Sequence, residues 1–396
     1  MPKTLVLMMI LGAISCADEA RPADDGDIDA NGDADNDSSD AGTDSDVDAD
    51  IDTDTDADVD MDDTGDSSPT DADPDTGDTD VPLSPIGVCG DTPPPGAQAP
   101  DPIPAYSGGA CPAVVTGHNE LMSSGNRREL LVVLPEDHDP AERLPVIFMW
   151  HWLGGEASDF LEQGEVQQAT SDLRFLAVIP EAKGDLYFKW PFLSPPLSSD
   201  ARRDEELVFF DDMLACVAAS FLIDESCVSS VGVSAGGLWT SHLAQLRSTH
   251  LASVLSLSGG VGPAGGGLIP VRPWTGAEHR LAALALWGGP TDFWGVDFAT
   301  TSRNLERGLA ENGHYLVECI HNCSHAQPPM NPPEGMSAFA GLWEFALSHP
   351  YWLADGTSPF LEAGLPAGLP AWCGQGMGSA TIREGECEGG VLGDCL

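Results

Sequence analysis

Three side chains, Ser234, Asp292 and His325, have the types and spacing that nucleophilic chemistry needs. Ser234 sits in Gly232-Val233-Ser234-Ala235-Gly236-Gly237, a G-x-S-x-G pattern after a β-prone run. A serine on a tight strand-to-helix turn projects its hydroxyl from the top of a sheet, and flanking glycines let the backbone make that turn. The next helix then aims its N-terminal amides at an oxyanion formed beside the serine. The hydroxyl needs a base to take its proton, and the base needs an orienting carboxylate. Asp292 follows Trp287-Gly288-Gly289-Pro290-Thr291, with Asp297 as a nearby rival. His325 ends His321-Asn322-Cys323-Ser324-His325 and is preferred over His321 because it lies in the loop with Ser324 and Gln327. Ala235 is expected to give one oxyanion N–H. Trp152 or Leu153, in Trp150-His151-Trp152-Leu153-Gly154-Gly155, should give the other, and His151 reads as structural.

These residues must be held by an alternation of strands and helices. β-prone runs at 129–134, 145–149, 175–179, 228–233, 252–257, 281–286 and 315–319 are interleaved with helical patterns at 157–163, 205–222, 238–246, 301–311 and 337–347. Mostly apolar strands in this order predict an α/β fold with a mainly parallel central sheet flanked by helices. Sites in such sheets lie at the carboxyl ends of strands, which puts the loops after Met149, Val233, Leu286 and Cys319 at the centre. Trp150, Trp190, Trp239 and Trp294, with Trp152, fall on or near those loops, so an aromatic, extended substrate site is expected there. Cys319, His321, Cys323 and His325 also have zinc-site spacing. In an exported, disulfide-prone chain the cysteines go to bridges instead, so no metal and no cofactor is assigned.

The two ends bear on location. One positive side chain, Lys3, precedes an apolar run too short to span a bilayer, which has the size of a signal-peptide core. It ends in Gly12-Ala13-Ile14-Ser15-Cys16, which resembles a bacterial lipobox. Residues 1–15 therefore read as a lipoprotein signal peptide and Cys16 as the acylated first residue of an exported protein, at the outer membrane or cell surface; otherwise the protein is secreted. Residues 16–104 read as a disordered tether, first Asp-rich and then Pro-rich. From 24 to 80 there are 25 Asp and no Lys or Arg, which cannot offset ordering entropy and repel one another. A tether of that length spans about 45 Å. Its stretch at 27–33 matches half a calcium loop but lacks the closing Glu, so only weak, diffuse calcium binding is expected.

The formal charge is −48, and residues 81–396 alone hold 37 acidic against 14 basic side chains. That balance argues against nucleic acid and against an anionic substrate. Residues 105–350 have the size of one large α/β domain, and 351–396 read as a Cys-containing tail. With Cys16 acylated, nine of ten cysteines remain for disulfides. Cys216 and Cys227, flanking the turn into the 228–233 strand, are expected to pair.

The chain order Ser234, Asp292, His325 is that of the α/β-hydrolases. From about 128 to 350 the sequence resembles the secreted polyhydroxybutyrate depolymerase and feruloyl/acetylxylan esterase group of that superfamily. The resemblance rests on the strand and His-x-x-Gly-Gly segment ending at Gly155, on Asp211-Asp212, on Phe221-Leu222-Ile223-Asp224 before the elbow, and on Leu257-Ser258-Gly259-Gly260. Trp287-Gly288-Gly289-Pro290-Thr291-Asp292 stands where the group has His-Gly-x-x-Asp, and His325 stands ahead of Pro328 as the group's catalytic His precedes a Pro. Two residues depart from the pattern: Trp152 for a Gly after the oxyanion His, and Trp287 for a His. The resemblance implies a serine esterase acting on polyester, feruloyl or acyl-polysaccharide substrates by an acyl-enzyme route. Two other readings are a non-catalytic glycan- or polymer-binding lipoprotein on the same scaffold, and an Asp-rich calcium-dependent surface module.

Overall fold

The structure, a computed structural model, describes residues 88–263 and 269–387. The expected signal peptide, Cys16, the Asp-rich run with its calcium-loop-like stretch, and Cys395 lie outside the described residues. Among the described residues no helix is long and apolar enough to cross a membrane.

The strands are β1 (Gly117–Ser123), β2 (Asn126–Val133), β3 (Leu144–Trp150), β4 (Leu176–Pro180), β5 (Ile223–Val233), β6 (Ser253–Leu257), β7 (Ala282–Trp287), β8 (Phe293–Trp294), β9 (Val296–Asp297), β10 (Tyr315–Ile320) and β11 (Cys373–Gln375). The helices are α1 (Ala157–Gln163), α2 (Val166–Leu173), α3 (Asp200–Ser220), α4 (Ala235–Leu246), α5 (Phe298–Glu311), α6 (Ala340–Leu347) and α7 (Phe360–Ala363). Nine strands form one sheet in the order β1-β2-β4-β3-β5-β6-β7-β10-β11. The six from β4 to β10 are parallel, whereas β1, β2 and β11 run antiparallel at the two edges. Central strands such as β3 and β7 are buried at every position, as expected where helices cover both faces. Alternate residues feed two cores: Phe148 and Trp150 pack with α3, α4 and α5, while Ile147 and Met149 pack with α1, α2 and α6.

Three sequence expectations are corrected. Cys216 and Cys227 do not pair; the bridges are Cys89–Cys227, Cys111–Cys216, Cys319–Cys373 and Cys323–Cys387. Asp212, Cys216 and Ser220, four residues apart on one face of α3, all meet the segment before β1. Ser107 donates from N and Oγ to Asp212 (both 2.7 Å), Cys111 bridges Cys216, and Val114 N donates to Ser220 Oγ (3.1 Å). The tether boundary at 104 is too late. Cys89 is bridged to β5, Gly90 N donates to Asp224 (3.1 Å) and Asp101 N to Thr249 O (3.0 Å), so the Pro-rich residues from 88 lie on the domain body. The tail is not separate either, since β11 joins the sheet beside β10 through Cys319–Cys373.

Behind the site, Glu306 of α5 is fully buried; its Oε1 accepts from Trp287 Nε1 at 2.7 Å and its Oε2 has no hydrogen-bond partner. Burial first, and then the neighbouring Glu318 carboxylate, push the Glu306 carboxyl up to about 8. The folded state therefore holds this proton more tightly than the unfolded chain, so stability falls as pH rises from 4.5 to about 8 and is flat in this respect above it. Glu306→Gln, which keeps the acceptor for Trp287, should flatten that pH dependence in denaturant melts between pH 5 and 9. Parallel wild-type and variant curves would contradict a buried, protonated Glu306.

Candidate active site

Four loops at the carboxyl ends of β3, β5, β7 and β10 converge. Ser234 sits between β5 and α4 with φ 55° and ψ −116°, a conformation a non-glycine residue adopts at a cost of about 1–3 kcal/mol. The glycines around it are needed for closeness rather than for unusual dihedrals. A Cβ on Gly236 would lie 2.0 Å from Trp150 O, and one on Gly232 would lie 2.1 Å from Gly236 O. The turn thus packs backbone to backbone on the end of β3, and Ser234 N donates to Leu257 O at 2.8 Å.

Ser234 Oγ lies 2.8 Å from His325 Nε2, and His325 Nδ1 lies 2.7 Å from Asp292 Oδ1. With the proton on Nδ1, the ring donates to Asp292 and accepts from the serine hydroxyl. Asp292 is buried, and its other oxygen accepts from Ser258 Oγ and Gly288 N, both at 2.8 Å. Phe298 stacks on the His325 ring, 4.2 Å between centroids at 16°. Ser258 and Phe298 are the neighbours that sequence reasoning gave no role. The Leu257-Ser258-Gly259-Gly260 strand end was visible, but not the direction of the Ser258 hydroxyl. Ser258 (φ 43°) and Ser324 (φ 53°) share the positive φ of Ser234, so three strained serines border one site.

The two rivals have other work. Asp297 caps α5, accepting from Thr300 N at 2.9 Å. His321 is buried, accepts the Cys323 N–H on Nδ1 at 3.2 Å, and is pushed down to about 4 by burial, so it stays neutral at ordinary pH.

The N–H groups of Ala235, Trp152 and Leu153 donate to no backbone acceptor among the described residues. His151 is fully buried; its Nδ1 donates to Trp152 O at 3.0 Å, its Nε2 is 3.4 Å from Glu181 Oε1, and its carbonyl accepts from Trp190 Nε1 at 2.8 Å. Trp150, Trp190 and Trp239, expected to line the substrate site, do not. All three are buried, with Trp190 and Trp239 edge-on to Trp150 at 5.0 and 6.0 Å, and Trp150 Nε1 donates to Ser230 Oγ. They point to the face of the sheet opposite the cavity and brace β3. Trp152 and Trp294 do line a cavity of about 520 Å³ that opens at Ser234 and runs between α1 and α6. Its other walls include Phe160, Met330, Phe339, Leu342 and Trp343. Among the described residues, His118, Glu120 and Glu129 bring three metal-ligating side chains together on the exposed β1–β2 hairpin, but Arg127 already pairs with both carboxylates.

No protein-family model matches the chain. Curated relatives include a protein described as probable feruloyl esterase C of Aspergillus terreus, 29% identical over 137 residues (34% of this chain, 48% of that protein). Feruloyl esterase D of Neurospora crassa is 28% identical over 138 residues (34% and 47%). The chain spans about half the length of these relatives. Among solved structures, pOPH in its native form matches with a TM-score of 0.54 at 18% identity, over 67% of this chain and 97% of that one. Native sOPH matches with a TM-score of 0.51 at 20% identity, over 67% and 97%.

The fold is that of the α/β-hydrolases. In sequence, over about a third of its length, the chain is similar to feruloyl esterases.

If Asp292 is held by Ser258, Ser258→Ala should lower kcat for a chromogenic ester about tenfold, the range for a hydrogen bond to a charged group, with KM within twofold. Combined with Asp292→Asn it should cost little beyond Asp292→Asn alone. Additive losses would show that Ser258 acts elsewhere.

Proposed function

We propose that this chain is an exported serine esterase that hydrolyses carboxylic esters, of polyester, feruloyl or acyl-polysaccharide type, through an acyl-enzyme. The observation that carries the reading is the unbroken Ser234–His325–Asp292 hydrogen-bond chain, at 2.8 and 2.7 Å, at the mouth of an apolar cavity. Ser234 Oγ attacks the ester carbonyl carbon while its proton passes to His325 Nε2, and Asp292 steadies the imidazolium. The carbonyl oxygen becomes an oxyanion facing the N–H of Ala235 and that of Trp152 or Leu153. His325 gives its proton to the departing alkoxide, which leaves as the alcohol. Water then loses a proton to His325 and attacks the acyl carbonyl; the acyl–Oγ bond breaks, the acyl group departs as the carboxylic acid, and the proton returns to Ser234 Oγ.

A cavity of about 520 Å³ walled by Phe160, Met330, Phe339, Leu342 and Trp343 is far larger than an acetyl group, which favours a bulky apolar or aromatic acyl group. The named feruloyl esterases point the same way. Four disulfides support an oxidising compartment. Anchoring through acylated Cys16 and weak calcium binding by the acidic run rest on the sequence pattern.

Ser234→Ala should cut kcat on p-nitrophenyl esters by about 10⁴-fold or more while circular dichroism is unchanged. On wild type, kcat/KM should rise from acetate to butyrate and to a feruloyl ester. Undiminished turnover by Ser234→Ala would overturn the mechanism, and a preference for acetate would overturn the acyl assignment.

A further inference from the structure

Four residues separate the end of β10 from His325, and none of them has regular structure. One side of this loop is held by the acid loop. Gly288 packs so closely on it that a Cβ there would lie 1.8 Å from Ser324 O, and Thr291 Oγ1 is 2.8 Å from Ser324 Oγ. The other side is held by the C-terminal segment. Cys323, two residues before His325, is bridged to Cys387. Arg383 N donates to Ile320 O at 2.9 Å and Arg383 Nη1 to Asn322 Oδ1 at 2.7 Å, while Asn322 Nδ2 donates to Gly385 O at 2.8 Å. Arg383 Nη2 donates to Glu386 O at 2.8 Å, which ties the guanidinium into its own strap. No residue of 373–387 lines the catalytic cavity.

We propose that residues 379–387 form a strap whose Cys323–Cys387 bridge and Arg383 contacts position the His325 imidazole between Ser234 and Asp292. The inference rests on the reading of His325 as the base. Because the strap does not reach the cavity, its influence must run through the loop, and it should act on turnover rather than on substrate affinity. A displacement of about 1 Å in a catalytic group costs on the order of a hundredfold, so a loosened loop should be visible in kcat.

The test compares the full-length Cys323→Ser/Cys387→Ser double variant and Arg383→Ala with a Cys111→Ser/Cys216→Ser control, whose bridge lies on α3. Assays on p-nitrophenyl butyrate are run well below each melting temperature. The strap variants should lose about tenfold or more in kcat with KM within twofold, while the control loses stability and keeps kcat. Equal kcat losses in strap and control variants, or a loss in KM alone, would overturn the proposal. Hydrogen–deuterium exchange decides the matter independently of turnover: residues 321–328 should lose protection in the strap variants and not in the control. Unchanged protection in the strap variants would overturn the proposal. A wild type without esterase activity would refute the esterase reading, and the exchange result would still test the strap.

Discussion

Backbone packed directly on backbone at Gly232 and Gly236 is the constraint on which the site depends. The carbonyl of Trp150 occupies the space where a side chain at position 236 would lie, so the nucleophile turn and the end of β3 cannot be moved apart or given bulk independently. That contact holds Ser234 in a conformation costing about 1–3 kcal/mol and keeps the Ala235 and Trp152 amides on neighbouring backbone. The buried tryptophans belong to the same device. Trp150, Trp190 and Trp239 fill the space behind β3, and Trp190 fixes the His151 carbonyl one residue before Trp152. His151 in turn donates to Trp152 O and faces Glu181. Burial pushes the Glu181 carboxyl up, but the His151 ring and the Ala157 N–H outweigh it and hold the group below the usual carboxylate range.

The acid and base loops meet by the same physics. Asp292 is buried and accepts from three donors on three segments: His325, Ser258 and Gly288. An unpartnered carboxylate there would be costly, so the network holds together only while all three loops keep their places. Phe298 closes the arrangement, since α5 begins right after the acid loop and sets this ring flat against the imidazole. Farther back, Trp287 bonds to the fully buried Glu306 beside Glu318, and Ala380 of the C-terminal segment donates to Glu318. The edge of the sheet and the base loop are thus joined by both covalent and polar links.

Much of this could be read from residue types. Strand-helix alternation with nearly all-apolar strands gave the fold class, and strand-end placement singled out Ser234, Asp292 and His325, the three residues the structure brings into hydrogen-bond contact. Distinguishing His325 from His321 was possible because one lies beyond the strand and the other at its end, where it is buried and bonds the Cys323 N–H. What was not legible depends on side-chain direction and long-range closure. Trp150, Trp190 and Trp239 are adjacent in sequence to the site loops, yet period-two alternation sends Trp150 to the face away from the cavity. Cys216 and Cys227 are close in sequence, but the face of α3 carrying Cys216 meets residues 107–114, and pairing between segments more than 100 residues apart leaves no local signal. The three-residue strand β11 is likewise too short to announce itself, and its place is set by Cys319–Cys373.

The central claim is that Ser234 is an activated nucleophile. The most direct measurement is treatment of the folded protein with a fluorophosphonate, followed by mass spectrometry of the peptides. The account predicts a single adduct on Ser234, formed in wild type and lost when His325 is replaced by Ala. Absence of modification at Ser234 in the folded protein, or labelling that is unaffected by removing His325, would contradict it.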